Sequence, residues 1–389
     1  MSMKKCVATM IAGVTALTIA GSASAQTITL RLTGSTAYRN QTHNAILHIL
    51  DAGYTFGYAG AGATISGAGQ AVFKGTVNAG AIPVIIQTSW SGSVGGVQNL
   101  TENLTIANWL TATNLSGGTG ANNLSIHDSA VTADMAMSDS FQGATAFTTP
   151  ALVDQVVGVA PFTWVRGAGS PSNMVNMTTL LAQTVLAGQT PLSQWTANPA
   201  DAAVNVQVFG RDEDSGTRLG AFAESGFGIF GAPFQYQPTG TLGASGLITA
   251  MNAWPVNTVN GTTYDVGHSG YSSGGTLASA VGTPVDAGLG FVVAYLSTGD
   301  GATATNMATG ATFMNWNGFP YSLAAVQNGQ YTFWVYEHLM YRSSLGGNQK
   351  VVADKIAKQI HDTDAAVLLS GMNVGRQSEG AVVTAGSPY

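Results

Sequence analysis

Short apolar strands that end in polar turns recur along this chain, and helix-like segments follow several of them. Thr27 to Leu32 alternates as a strand, Gly34-Ser35-Thr36 forms a turn, and Gln41 to Leu50 has the apolar spacing of a helix. A second strand from Ala81 to Thr88 leads through a glycine-rich turn to a helix expected from Val97 to Leu110. Strands that alternate with helices predict an α/β fold with parallel sheets.

Three more strands are expected further along the chain, at Ala133 to Met137, Gln155 to Val165 and Val204 to Phe209. The first ends at Ser138-Asp139-Ser140, and the third leads almost directly to Arg211. Proteins with open α/β sheets bind their ligands at the carboxyl ends of the strands. We therefore expect these polar turns to lie at one binding edge.

The segment Arg211-Asp212-Glu213-Asp214-Ser215-Gly216-Thr217, which we call the cradle segment, carries the strongest functional signal. The residues from Arg218 to Glu224 that follow it are typical of the first turns of a helix. A Ser-Gly-Thr step at a helix start offers free backbone N–H groups and hydroxyls at the positive end of the helix dipole. Arg211 adds a planar, permanently charged donor. The segment predicts a site for a tetrahedral oxyanion, held without a metal.

The amino terminus predicts export. Lys4 and Lys5 precede an apolar run from Val7 to Ala20, and Ala23-Ser24-Ala25 is a small-residue cleavage pattern. Residues 1–25 are therefore predicted to be a cleaved signal peptide, and the mature protein is expected to be periplasmic or secreted.

Composition limits the chemistry that the mature chain has available. The one cysteine, Cys6, falls within the predicted signal peptide, so neither disulfides nor cysteine-metal sites are expected. The formal charge of −6 becomes −8 once Lys4 and Lys5 are removed, which argues against a nucleic-acid partner. The histidines lack metal-ligand spacing. We expect no metal, no cofactor and a monomer that binds its anion through local, oriented donors.

Four of these turns together resemble the phosphate-binding proteins of bacterial ABC importers, in the type II periplasmic binding-protein superfamily. They occur in the order of that family: Thr33-Gly34-Ser35-Thr36-Ala37, Gly92-Ser93-Val94-Gly95-Gly96-Val97, Met137-Ser138-Asp139 and the cradle segment. The resemblance implies two α/β lobes joined by a two-strand hinge, with lobe I at 26–155 plus 325–389 and lobe II at 156–324. It also implies a non-enzymatic protein that captures inorganic phosphate between the lobes and delivers it to an ABC permease in the inner membrane.

The same resemblance implies which residues bind the anion. They would be Thr36, Ala37, Ser93 and Asp139 from lobe I, and Arg211, Ser215, Gly216 and Thr217 from lobe II. Asp139 would accept a hydrogen bond from the proton that inorganic phosphate still carries near neutral pH, whereas sulfate has no such proton to donate. Glu213 matches a family aspartate that orients the arginine. Asp214 departs from the family, which usually has glycine there. A carboxylate at this position would weaken anion binding unless it points outward or caps the helix, and its side chain could do the capping.

Simpler interpretations stay open for each residue alone. Thr36, Ser93 and Asp139 could each cap a helix, and Arg211 with Glu213 could form a surface ion pair. A secreted scaffold or adhesion protein that retains the binding fold, or a binder of another oxyanion, is the alternative function.

Two other patterns favour structural roles. Gly270-Tyr271-Ser272-Ser273-Gly274 matches the G-x-S-x-G pattern of hydrolases, with His338 as a later base, but the preceding residues are too polar and short for the required strand. We interpret this segment as a glycine-rich entry to a helix at Thr276 to Val281. The alternating aromatic residues from Tyr331 to Tyr336 predict a buried strand rather than a sugar-binding surface.

Overall fold

One mixed β-sheet of eleven strands organises the part of the chain that the structure describes. The computed structural model describes residues 26–60, 64–240, 242–243, 246–254, 257–259, 262–264, 270–386 and 389, so the predicted signal peptide at 1–25 lies outside the described residues. The strands of the sheet are β1 Ile28–Gly34, β2 Thr55–Tyr58, β3 Gln70–Val77, β4 Ile82–Ser89, β5 Met135–Ser138, β6 Val153–Arg166, β7 Thr190–Pro191, β8 Asn205–Phe209, β9 Phe291–Ser297, β10 Thr312–Phe313 and β11 Trp334–Tyr341.

The strand order is β7-β8-β9-β6-β11-β5-β1-β4-β3-β2, and β10 also pairs with β6. Parallel pairing, which the sequence predicts in general, occurs between β1 and β4, between β1 and β5 and between β8 and β9. The sheet is mixed rather than parallel throughout, because β6 and β11 are antiparallel to their neighbours and β2, β3 and β4 form an antiparallel meander. Asn78, Ala79 and Gly80 have positive φ and form the tight turn between β3 and β4. The glycine-rich stretch from Gly60 to Gly80 therefore contributes strand β3 to the sheet.

The fourteen-residue strand β6 joins two groups of strands within the sheet. Its residues 153–161 pair with β11, and its residues 162–166 pair with β9. The first group of strands, β1 to β5 with β11, thus continues through β6 into the second group, β7 to β10. The predicted lobe boundary at 155/156 falls inside this strand, and the division into lobes stays a prediction.

Nine helices accompany the sheet in the described ranges: α1 Arg39–Ile49, α2 Ser93–Thr101, α3 Thr179–Ala187, α4 Ser193–Thr196, α5 Gly216–Ser225, α6 Gly274–Val281, α7 Thr298–Thr305, α8 Leu323–Gln327 and α9 Gly347–Gln359. The helix expected from Val97 to Leu110 instead begins at Ser93 and ends at Thr101. Asn103 adopts a left-handed conformation at φ 54°, which stops the helix and which asparagine tolerates better than most residues. None of the helices described is long and apolar enough to cross a membrane.

The aromatic segment before and within β11 is buried, as predicted. Tyr331, Phe333, Trp334 and Tyr336 are each at most 1% exposed. Their rings pack within the main hydrophobic cluster of the protein. A surface for stacking sugars is therefore excluded at these residues.

Close backbone approach brings the turns after β1, β4 and β5 together. Gly34 has φ +104°, and a Cβ on it would overlap the carbonyl oxygen of Met137. A Cβ on Gly96 would lie 2.7 Å from the Cα atom of Gly34. Ser35 N donates to the Met137 carbonyl at 2.8 Å, and Gly92 N donates to the Gly34 carbonyl at 2.9 Å. Glycine at 34 is thus required both by its φ and by its neighbours.

Gly34→Ala is expected to lower the free energy of unfolding by about 3 kcal/mol or more, because strained φ and overlap with Met137 act together. The matched control is Gly53→Ala, since Gly53 has φ +94° with nothing near its Cβ position. That control should lose only about 1–2 kcal/mol from strain alone. Urea unfolding measures both variants, and equal losses would contradict the close approach described here.

Candidate functional site

The polar turns identified in the sequence meet at one edge of the sheet. Thr36 follows β1, Ser93 opens α2 after β4, Asp139 directly follows β5, and Arg211 lies two residues after β8. These four side chains are buried: Thr36 is 8% exposed and the other three are 2% exposed or less. Ala37, partly buried, follows Thr36 in the same turn.

Arg211 reaches from the second group of strands to the first. Its Nη2 atom donates to Thr36 Oγ1 at 3.3 Å and to the Ser272 carbonyl at 3.0 Å, and its Nε atom donates to the Tyr271 carbonyl at 2.9 Å. Two backbone carbonyls therefore orient the guanidinium. The resemblance gave this role to Glu213. In the structure the charge of Glu213 raises the pKa of Arg218, but burial lowers that pKa by more. The orienting role of Glu213 stays a prediction.

The segment that matched a hydrolase pattern supports Arg211. Tyr271 forms an isolated parallel β-bridge with Arg211, and Ser273 caps α6 by accepting a hydrogen bond from Thr276 N at 3.2 Å. The candidate base His338 is bound through Nδ1 to Asp154 at 2.8 Å. The interpretation as an entry to a helix is therefore confirmed.

The backbone of Arg211 is fixed by a buried ring of hydrogen bonds. Arg211 N donates to Tyr295 Oη at 3.1 Å, and Tyr295 Oη donates to Gln235 Oε1. Gln235 Nε2 returns to the Arg211 carbonyl at 2.9 Å. This network leaves the arginine little freedom to change its position, because every backbone polar group of the residue is engaged.

Asp139 joins the first group of strands to the cradle segment. Its backbone N donates to Ser93 Oγ at 3.2 Å, and a Cβ on Gly216 would overlap its Oδ1 atom. Among the residues described, this Oδ1 atom has no hydrogen-bond partner. Burial raises the pKa of Asp139, while the hydrogen bond with Ser93 and the charge of Arg211 lower it.

The first residues of α1, α2 and α5 show which candidate site residues cap a helix. The N-terminal caps of α1 and α2 are Tyr38 and Gly92, and neither makes a side-chain capping bond, so Thr36 and Ser93 do not act as caps. Ser215 does cap α5, because its Oγ atom accepts from Arg218 N at 3.3 Å. The next two residues, Gly216 and Thr217, form the buried first turn of α5.

Asp214 does not cap α5, contrary to one expectation from the sequence. Its carbonyl accepts hydrogen bonds from Val94 N at 2.9 Å and Gly95 N at 3.2 Å, at the start of α2. A Cβ on Gly92 would overlap this carbonyl, and one on Gly95 would lie 3.0 Å from Asp214 Cγ. The side chain is partly buried, and burial followed by the charge of Glu213 raises its pKa to about 6. Asp214 therefore docks the cradle segment against the glycines of α2.

Two further charged residues reach the site without having been identified from the sequence. Arg39 is the first residue of α1; burial lowers its pKa, and the charge of Arg211 lowers it further while Asp300 raises it. Its position three residues after Thr36 was the signal available for it. Glu337 on β11 accepts from Ser35 Oγ at 3.4 Å, and burial followed by the charge of Asp139 raises its pKa well above the usual range. It lies in an aromatic strand that carries no such signal.

No family model and no curated protein matches the sequence. Among solved structures, a phosphate ABC transporter substrate-binding protein with bound phosphate from Clostridium perfringens is similar at 14% identity and a TM-score of 0.50, over 88% of this chain and 99% of that one. An ABC-type phosphate transport receptor from Vibrio cholerae is similar at 11% identity and a TM-score of 0.45, over 88% and 99% of the two chains.

The identities of these structures are low, so the likeness concerns the fold. This chain has the α/β fold of the substrate-binding proteins of phosphate ABC transporters.

Proposed function

We propose that this protein is an extracytoplasmic solute-binding protein that captures inorganic phosphate and delivers it to an ABC permease in the inner membrane. The anion would lie between lobe I, residues 26–155 with 325–389, and lobe II, residues 156–324. The observation that carries the proposal is the contact of Arg211 Nη2 with Thr36 Oγ1 at 3.3 Å, which joins donors from the two ranges in one buried place. No bond is broken in the proposed function.

The donors around this place fit a tetrahedral oxyanion. Thr36 and Ser93 offer hydroxyls, Arg211 offers a charged guanidinium, and the first turn of α5 offers the N–H groups of Gly216 and Thr217. Binding would close the two lobes by giving these groups a shared acceptor. Ala37 and Ser215 complete the proposed set of ligand residues.

Asp139 would provide selectivity among anions. A buried carboxylate repels an anion unless the ligand donates a proton to it, and phosphate carries such a proton near neutral pH. Sulfate would leave the Asp139 oxygen without a donor. The unpartnered Oδ1 atom beside Gly216, in the described part of the chain, supports this role.

Two arginines lie near the proposed anion site, beside the acids Asp139, Asp212 and Asp214 and in a chain that is acidic at −6. The charge of Arg211 lowers the pKa of Arg39, and both side chains are at least partly buried. The repulsion between two nearby guanidinium groups is relieved when an anion binds beside them. A phosphate dianion would supply that charge.

Arg211→Ala is expected to weaken phosphate binding at least about a hundredfold, because a two-pronged charged donor is lost. Calorimetric titration of the mature protein at pH 7 measures this. Arg342→Ala is the matched control: Arg342 also binds backbone carbonyls, those of Leu100 and Ala133, but at the opposite end of β5. Absence of heat with phosphate, arsenate and sulfate in the unsubstituted protein would favour the scaffold alternative.

Asp139→Asn is expected to reduce the preference for phosphate over sulfate about tenfold or more. The substitution replaces a carboxylate, which favours a protonated ligand oxygen, by a neutral amide. Competition titrations with the two anions give the ratio directly. Asp134→Asn serves as control, since Asp134 is partly buried and also has a pKa raised by burial, but it precedes β5 at its other end. Unchanged selectivity in Asp139→Asn would remove this residue from the proposed role.

Acids beside Arg211 make the stability of the ligand-free protein depend on pH. Burial raises the pKa of Asp212 to about 7 and that of Asp214 to about 6. The folded state therefore holds protons that the unfolded state has lost, so stability decreases as pH rises from about 4 to 7. We expect a higher unfolding temperature at pH 5 than at pH 8, measured by calorimetry without added phosphate.

Asp214→Asn should reduce that difference in unfolding temperature. Asp362→Asn should leave the difference unchanged, because a hydrogen bond from Lys358 lowers the pKa of Asp362 and its titration falls below this range. A stability that rises from pH 5 to pH 8 would contradict the raised pKa values.

A further inference from the structure

Ser140 is a fully buried serine whose hydroxyl has no partner within the part of the chain that the structure describes. The residue is 0% exposed, and its Oγ atom makes no hydrogen bond there. Its backbone is satisfied, because Ser140 N donates to Ser138 Oγ at 3.2 Å and Ser138 Oγ donates to the Ser140 carbonyl at 2.8 Å. Burial of this hydroxyl without a hydrogen bond costs free energy, and no group in the described part of the chain offsets that cost.

The hydroxyl is directed at the start of α5. A Cβ on Gly216 would lie 2.8 Å from Ser140 Oγ and would overlap Asp139 Oδ1, so both oxygens surround the same point. Asp139 Oδ1 is also unpartnered among the described residues. Two buried polar atoms from the turn after β5 therefore face the helix start that belongs to the cradle segment.

The chemistry of the two oxygens is complementary. An ionised carboxylate only accepts hydrogen bonds, whereas a serine hydroxyl also donates one. A phosphate that donates a hydrogen bond to Asp139 through its protonated oxygen still has unprotonated oxygens. Each of these needs a hydrogen-bond donor from the protein. We propose that Ser140 is a further ligand-binding residue, whose hydroxyl donates to an unprotonated oxygen of the bound phosphate. This inference rests on the proposed function.

A purely positioning role makes a different prediction. If the hydroxyl of Ser140 turned to donate to Asp139, its removal would matter only while residue 139 has an acceptor oxygen, which aspartate and asparagine both have and alanine lacks. A ligand-binding hydroxyl contributes whichever residue stands at 139. The effect of Ser140→Ala in the Asp139→Ala background therefore separates the two roles.

The test compares Ser140→Ala with Ser225→Ala. Ser225 is equally buried, but its hydroxyl donates to the Phe222 carbonyl at 3.2 Å, and it ends α5 far along the helix from Gly216. Phosphate titration by calorimetry should show about tenfold weaker binding for Ser140→Ala, as expected for a hydrogen bond to a charged ligand, and no change for Ser225→Ala.

Thermal unfolding without phosphate should show the reverse order. Ser140→Ala removes an unpartnered hydroxyl and should unfold at the same temperature as the unsubstituted protein or higher, whereas Ser225→Ala should unfold at a lower temperature. In the Asp139→Ala background, a further loss of about tenfold in phosphate affinity would support the ligand role.

Unchanged phosphate affinity in Ser140→Ala, in a protein that binds phosphate, would overturn the inference and leave the proposed function intact. So would an effect that disappears in the Asp139→Ala background. Failure of the unsubstituted protein to bind any oxyanion would instead overturn the proposed function.

Discussion

Burial of the Arg211 guanidinium is the constraint on which the rest of the site depends. A permanently charged group at 2% exposure is costly unless hydrogen bonds and opposite charge surround it. The carbonyls of Tyr271 and Ser272 satisfy part of that need, and Thr36 supplies a contact from the other group of strands. Three distant segments of the chain are therefore brought together by the requirements of one side chain.

The cradle segment contacts α2 through backbone hydrogen bonds, at a place where glycines leave room for the backbone. The Asp214 carbonyl takes the first free N–H groups of α2, which would otherwise need another partner. Gly92 and Gly95 leave the space that this approach requires. Asp214 is thus part of a direct contact between the two groups of strands.

Local patterns predicted much of the fold and part of the candidate site. Strand ends followed by polar turns, and the helix start at Ser215, depend on neighbours in the sequence and were identified from it. The antiparallel placement of β6 and β11 depends on pairing between distant segments, as does the support of Arg211 by Tyr271. Glu337 could not be identified either, since only the folded sheet places it behind Ser35. The end of α2 was missed because the left-handed Asn103 outweighed the apolar residues beyond it.

The shared strand β6 has a mechanical consequence. Its two parts are hydrogen-bonded to β11 and β9 without an intervening loop, so the groups of strands are coupled through continuous backbone. Any change in the angle between them bends and twists a sheet instead of rotating about a loose linker. Such a deformation is elastic: it stores energy as it grows, it restores the original shape, and it limits how far the two groups can separate.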